Sequence, residues 1–320
     1  MNKCYKCGEQ LNKKNASKEH IIQDSLGGNI TSYNLLCNTC NSFFGESIDK
    51  ELNRQLKPFI EQVVSKHPNK KTRTKLYTKE GEEHIFDKNL QPLPKFKIIS
   101  KNNREVVHHV QSEKELDKLI MKKRGELKDG QKIEKKYYDI PPSDQLFFFN
   151  SKNINGKLFF GGEDYHKAII KIAVNYYLSI YNNQECIKEA IDILRGNVPF
   201  RRQSEFYYPT NYQVHTLAED EVSNIIYLKG NTDEKLLICY IELLNSECLI
   251  VFLNMNYEGP NIESIYVHDV RKQLDLKKEI NIKLKKHHIE VLHLIDSSSR
   301  HEIANNRLIR LIERQSMEII

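Results

Sequence analysis

Residues 4–49 read CYKCGEQLNKKNASKEHIIQDSLGGNITSYNLLCNTCNSFFGESID, and the four cysteines in this stretch decide how the first part of the chain can fold. Cys4 and Cys7 form one C-x-x-C pair and Cys37 and Cys40 a second. Each pair sets two sulfurs on one side of a tight turn, and two such pairs complete a tetrahedral four-thiolate site for a structural zinc ion. With all four positions taken by sulfur, the metal is architectural. Gly8, directly after Cys7, can adopt the backbone angles that turn amides towards sulfur. Cys40 falls where a helix begins, and a helix N-terminus favours a thiolate.

Working outward, Phe44, Ile48, Leu52, Leu56, Phe59, Ile60 and Val63 recur at spacings of three and four. That is an amphipathic helix, expected to bend near Pro58 and to end before His67-Pro68-Asn69. Beyond it, 94–99 and 105–110 read as strands, and Ser112 with Glu115 makes a capping box for a helix carrying Leu116, Leu119 and Ile120. Pro141-Pro142 closes this segment. Short strands are expected at 146–149 and 157–160, then helices at 164–181 and 184–195, the second capped by Gly196. Apolar runs at 222–228, 235–243 and 248–254, with turn residues Gly230-Asn231 and Asn245-Ser246 between them, predict an antiparallel meander. Further strands are expected at 264–267 and 288–295, and a closing helix at 300–314. The reading is an α+β protein in three parts: a zinc-stapled module at 1–66, a mixed basic segment at 67–145 and a larger α+β region at 146–320.

Composition narrows the class. The 320 residues are 39% hydrophobic and 29% charged, which suits a globular protein. No apolar run is long enough to cross a bilayer, and MNKCYKCGEQ has no apolar signal core, so a cytoplasmic location and no membrane partner are expected. Seven cysteines, an odd number, argue against a disulfide framework. Cys186, Cys239 and Cys248 stand in apolar surroundings as small core residues. The net charge is +6, yet residues 66–136 alone hold 20 Lys and Arg against 11 Asp and Glu, so the remainder is slightly acidic. Such a local surplus suits a phosphate backbone and equally suits a solvated surface.

Within the cysteine frame stand Glu19-His20, Gly27-Gly28, Asn34 and Asn41. Together these resemble the HNH endonuclease family, in the zinc-bearing branch that runs C-x-x-C, an acidic residue plus His, Gly-Gly, Asn, then C-x-x-C followed by Asn or His. The resemblance covers residues 4–49, with Gly45 and Asp49, and does not reach the rest of the chain. It implies a ββα-metal fold in which a strand carries Glu19 and His20 and Gly27-Gly28 joins the two strands. It further implies that His20 is the general base, that Asn34 orients its ring, and that Glu19 and Asn41 hold a catalytic magnesium or manganese ion. Independently of the family, phosphodiester hydrolysis needs a base near neutral pKa and a cation for the developing charge, and oxygen ligands suit Mg²⁺ or Mn²⁺. Two departures stand out: Glu19 replaces the more frequent Asp, and Gln23 stands where many relatives carry proline.

The expected activity is metal-dependent hydrolysis of DNA, of the kind found in bacterial defence or restriction nucleases. Two other readings stay open, a zinc-stabilised nucleic-acid-binding protein without turnover and an RNA-directed nuclease. An activating ligand, a partner protein and homo-oligomerisation are open too. Elsewhere, His166, Lys167, Lys171 and Asn175 share one face of the 164–181 helix, which is read as a half-buried core helix rather than a phosphate contact. The pairs His108-His109 and His287-His288 point apart in a strand and carry no site. Arg201-Arg202 near Phe206, Tyr207 and Tyr208 is read as loop surface.

Overall fold

Local backbone bonds fold the cysteine stretch before any long element appears. In the computed structural model, which describes residues 3–63, 74–77, 83–86, 95–99, 105–109, 113–124, 132–136, 161–209, 212–218, 221–289 and 306, Cys4 N–H donates to Glu9 O and Gly8 N–H to Cys4 O, both at 2.8 Å. Gly8 takes φ +80°, the left-handed region open to glycine at little cost. Strand β1 (Glu19–His20) pairs antiparallel with β2 (Thr31–Ser32), Glu19 opposite Ser32 and His20 opposite Thr31. The 3-10 turn Asp24–Leu26 and Gly27-Gly28 lie in the connection. A Cβ on Gly28 would stand 1.8 Å from the Ile22 carbonyl oxygen, so the loop closes only around glycine.

Cys37 caps helix α1 (Asn38–Glu46), and Ser47 then interrupts the expected single helix with φ −112° and ψ −100°. Helix α2 (Ile48–Val63) resumes at once and runs through Pro58. The β1-β2-α1 order is the ββα arrangement, and Tyr5, Ile21, Ile22, Leu26, Leu36 and Phe44 form its buried interior.

The chain divides into two compact units, residues 65–158 and the remainder. The smaller unit contains the hairpin β3 (Thr74–Tyr77) with β4 (Glu83–Phe86). It also contains a sheet in which β5 (Lys95–Ile99) lies between β6 (Glu105–His109) and β7 (Lys132–Lys136), with helix α3 (Glu113–Arg124). The strands expected at 94–99 and 105–110 are β5 and β6. Ser112 and Pro141-Pro142 lie outside the described residues.

In the larger unit follow α4 (Glu163–Tyr181), α5 (Lys188–Arg195), and strands β8 (Ser204–Phe206), β9 (Ser223–Asn231), β10 (Leu236–Leu243), β11 (Glu247–Asn254), β12 (Ile262–Asp269) and β13 (Leu274–Asp275). The sheet order is β13-β12-β9-β10-β11-β8, all antiparallel, so the expected meander is its centre. Every residue of β10 is buried, as a strand covered on both faces requires. Gly230 and Asn231 end β9, and the turn falls just beyond them, before Leu236. Gly196 caps α5 with φ +82° as expected. Cys239 and Cys248 are buried, while Cys186 is half-buried. The strands expected at 146–149 and 157–160 lie outside the described residues. So do the 288–295 run, apart from His288 and Ile289, and the 300–314 helix, apart from Asn306.

Among the buried acids of the sheet, Glu242 lies near the end of β10. Glu242 accepts hydrogen bonds from His215 Nε2 at 2.8 Å, Asn245 Nδ2 at 3.0 Å and the Tyr240 hydroxyl. Burial alone would raise this carboxyl, but His215, Tyr240 and Asn245 outweigh it and hold the pKa down to about 2. Burial works against the His215 imidazolium as well, and its bond to Glu242 more than offsets that, raising the pKa. Tyr207, Tyr212, His215, Leu217, Tyr240 and Glu242 border a cavity of about 410 Å³. Its polar side chains bond mainly to one another.

Candidate metal centre and active site

The four sulfurs come together first. Cys4, Cys7, Cys37 and Cys40 place their Sγ atoms within 4.8 Å of one another, and Cys7 to Cys37 measures 3.8 Å. A zinc–sulfur distance of about 2.3 Å in a tetrahedron gives sulfur–sulfur edges of about 3.8 Å, so the set fits a structural zinc ion and is too open for a disulfide. Burial pushes the Cys37 and Cys40 thiols up, while at Cys7 the Glu9 backbone and neighbouring thiols outweigh burial and lower it. Cys4, Cys7, Cys37 and Cys40 would hold the zinc ion, and the bound cation would supply the charge that favours their thiolate forms.

Successive residues of a strand face opposite ways, and this separates the Glu19 and His20 side chains on β1. Glu19 turns inward and is 2% exposed. His20 is half-buried and makes no side-chain hydrogen bond among the described residues. Asn41, in the first turns of α1, donates Nδ2 to Ser17 Oγ at 2.6 Å, which ties α1 to the residues leading into β1. That bond uses the amide nitrogen and not the Oδ1 acceptor. Asn34 is exposed, its N–H donates to Ser32 Oγ at 3.2 Å, and no hydrogen bond joins it to His20.

The surroundings of Glu19 hold what the sequence did not disclose. Lys171 Nζ on α4 stands 2.5 Å from Glu19 Oε1 and 2.7 Å from Asp49 Oδ2, with all three side chains buried. Asn175, one turn further along α4, donates Nδ2 to Glu19 Oε1 at 2.9 Å. Gln23 donates Nε2 to Asp49 Oδ1 at 2.8 Å, so this residue holds the second carboxylate of the group. Burial pushes the Glu19 carboxyl up, against the pull of Lys171. Burial also works against the Lys171 ammonium, but Asp49 and Glu19 together outweigh it and hold it above its ordinary value. Three buried atoms beside this group, Tyr5 OH, Gln23 Oε1 and Asn175 Oδ1, make no hydrogen bond among the described residues. The environment is rich in oxygen donors, as a hard divalent ion requires. Both of these contacts to Glu19 fall on Oε1, and neither falls on Oε2.

The cysteine cage, the ββα order and the Glu19-His20 strand agree with one comparison. Residues 4–57 match the model of the HNH endonuclease family. Neither the curated proteins nor the solved structures give a match. The HNH segment supports a nuclease-type function with nucleic acid as substrate. Lys171 and Asn175 lie well outside it and still touch its acidic residue. The HNH segment also meets the large sheet, since Asn224 Nδ2 donates to Leu26 O at 2.7 Å and Asn29 Nδ2 lies 3.0 Å from His268 Nδ1. Its zinc hairpin is held by Arg195 Nε, which donates to Tyr5 O at 2.8 Å. Among the described residues no helix is long and apolar enough to cross a membrane.

Proposed function

We propose that the protein is an endonuclease that hydrolyses DNA phosphodiester bonds with His20 as general base. The observation that carries this reading is the half-buried His20 standing next to the buried, tethered Glu19 on a strand framed by the four-cysteine cage. Glu19 and Asn41 would hold a magnesium or manganese ion, which when bound neutralises charge on the phosphate and on the leaving oxygen. His20 takes a proton from water, the oxygen attacks phosphorus in line, and the 3′ oxygen leaves. Asn34 is the residue proposed to orient the imidazole once substrate is present, a bond that catalytic sites often complete only on binding. A bacterial defence or restriction role, under control of the remaining chain, is the setting that suits such an enzyme.

The test is nicking of supercoiled plasmid by purified wild type and His20→Ala, with Mg²⁺, Mn²⁺ or EDTA, alongside a matched RNA. Metal-dependent nicking lost in His20→Ala supports the proposal. Equal cleavage by the variant refutes the assignment of the base. Cutting of RNA alone replaces the substrate, and nucleic-acid binding without any cutting by folded, zinc-loaded protein favours the binding-only alternative.

A further inference from the structure

Helix α4 reaches into the HNH segment with a charge and an amide, and both end on the same oxygen. Asn175 and Lys171 are one turn apart, so both side chains project from one face towards β1. Lys171 bridges Glu19 and Asp49, and the group of two carboxylates and one ammonium keeps one formal negative charge. A lysine paired with Glu19 alone would cancel the carboxylate and leave nothing to attract a cation. Asp49 removes that difficulty by carrying the second negative charge, and Gln23 holds Asp49 in place. Lys171 also lies 5.5 Å from the centroid of the Phe44 ring, which fixes the ammonium from a third side.

We infer that Lys171 and Asn175, supplied by α4, are positioning residues of the nuclease centre that clamp Glu19 by Oε1, present Oε2 to the divalent ion, and with Asp49 set the charge the ion meets. The inference rests on the nuclease reading, in which the ion is held by Glu19 and Asn41. It makes the active centre composite: the family segment contributes the reacting groups, and the downstream helix contributes the clamp.

The charge assignment separates this role from simple packing. A plain structural network weakens when any member is lost, so all variants would move ion binding the same way. Under the clamp, Asp49→Asn lowers the attraction for the ion, whereas Lys171→Met removes a repelling cation. The experiment is electron paramagnetic resonance titration of Mn²⁺ into full-length, zinc-loaded wild type, Asp49→Asn, Lys171→Met, Lys171→Arg and Asn175→Leu, with plasmid nicking measured in parallel. Asp49→Asn should weaken Mn²⁺ binding and Lys171→Met should tighten it, each on the order of tenfold. Lys171→Met and Asn175→Leu should lower kcat on the order of 10–100-fold at unchanged KM for DNA, with partial recovery in Lys171→Arg. Where Lys171→Met does not fold, Lys171→Gln removes the charge and keeps one hydrogen bond. Shifts of Mn²⁺ affinity in the same direction, or none in variants with full zinc content, overturn the clamp. Because the resonance signal needs no cleavage, the expected ordering in a wild type that cuts nothing supports the clamp and refutes only the nuclease function. A folded wild type that binds no Mn²⁺ overturns both.

Discussion

Replacing Glu242 by Gln takes a buried anion from beneath His215 at the end of β10, and the effect on stability follows from the carboxyl's displaced pKa. The carboxyl sits at about 2 in the folded protein against an ordinary 4.5. At about 1.4 kcal/mol per pH unit, that displacement contributes about 3 kcal/mol when the group is ionised in both states. The folded pKa is depressed, so the contribution is present above pH 4.5 and is lost as pH falls towards 2, with less than half left near pH 3. His215 works from the other side. Its folded pKa is raised, so its contribution is present below the unfolded value and fades as pH rises through the folded one. The two describe one interaction and are not additive. Urea unfolding of wild type and Glu242→Gln at pH 7, 5, 4 and 3 reads the difference directly. The gap should be about 3 kcal/mol at pH 5 and narrow steeply below pH 4. A gap of the same size at pH 7, 5 and 3 would show that Glu242 contributes shape rather than charge, and the argument would fail.

The zinc cage gives the next expectation: Cys37→Ser should lose bound zinc and unfold the first part of the chain, because structural zinc contributes about 10–16 kcal/mol to such sites. Metal analysis of the purified variant checks it, and full zinc content would remove Cys37 from the cage. Gly28→Ala should lower stability by more than the usual overpacking cost of about 1–3 kcal/mol, since its Cβ meets backbone rather than a movable side chain. A thermal midpoint equal to that of wild type would mean that the loop opens without cost.

Legibility divided along sequence separation. The cysteine cage is readable because the two sulfurs of each pair are set by local spacing, and Gly8 marks the turn after the first pair. Strands β10 and β11 were plain because a strand covered on both faces is an unbroken apolar run. Strands β1 and β2 have two residues each, too few for any periodicity, and only the family likeness pointed to them. The helix break at Ser47 was not visible, because Phe44, Ile48 and Leu52 keep helical spacing across it. Lys171 and Asn175 share one polar face of α4, but a polar face names no partner. Their partners stand 122 and 156 residues away, and nothing in a single sequence links positions so distant. Gln23 and its partner Asp49 are 26 residues apart, and no local pattern links them.

The distance between Asp49 and Lys171 also has a meaning in time. A chain is made from its N-terminus, so both carboxylates leave the ribosome before the ammonium that separates them. At about 5–20 residues per second, the intervening 122 residues take roughly 6–24 s to synthesise. During that interval the cysteines can already gather zinc, because all four belong to the first 40 residues. Glu19 has neither of its α4 contacts until the helix is complete. A nascent chain can therefore hold the four-cysteine cage before Glu19 and Asp49 meet Lys171, and the order of synthesis leaves these two carboxylates without their ammonium until α4 emerges.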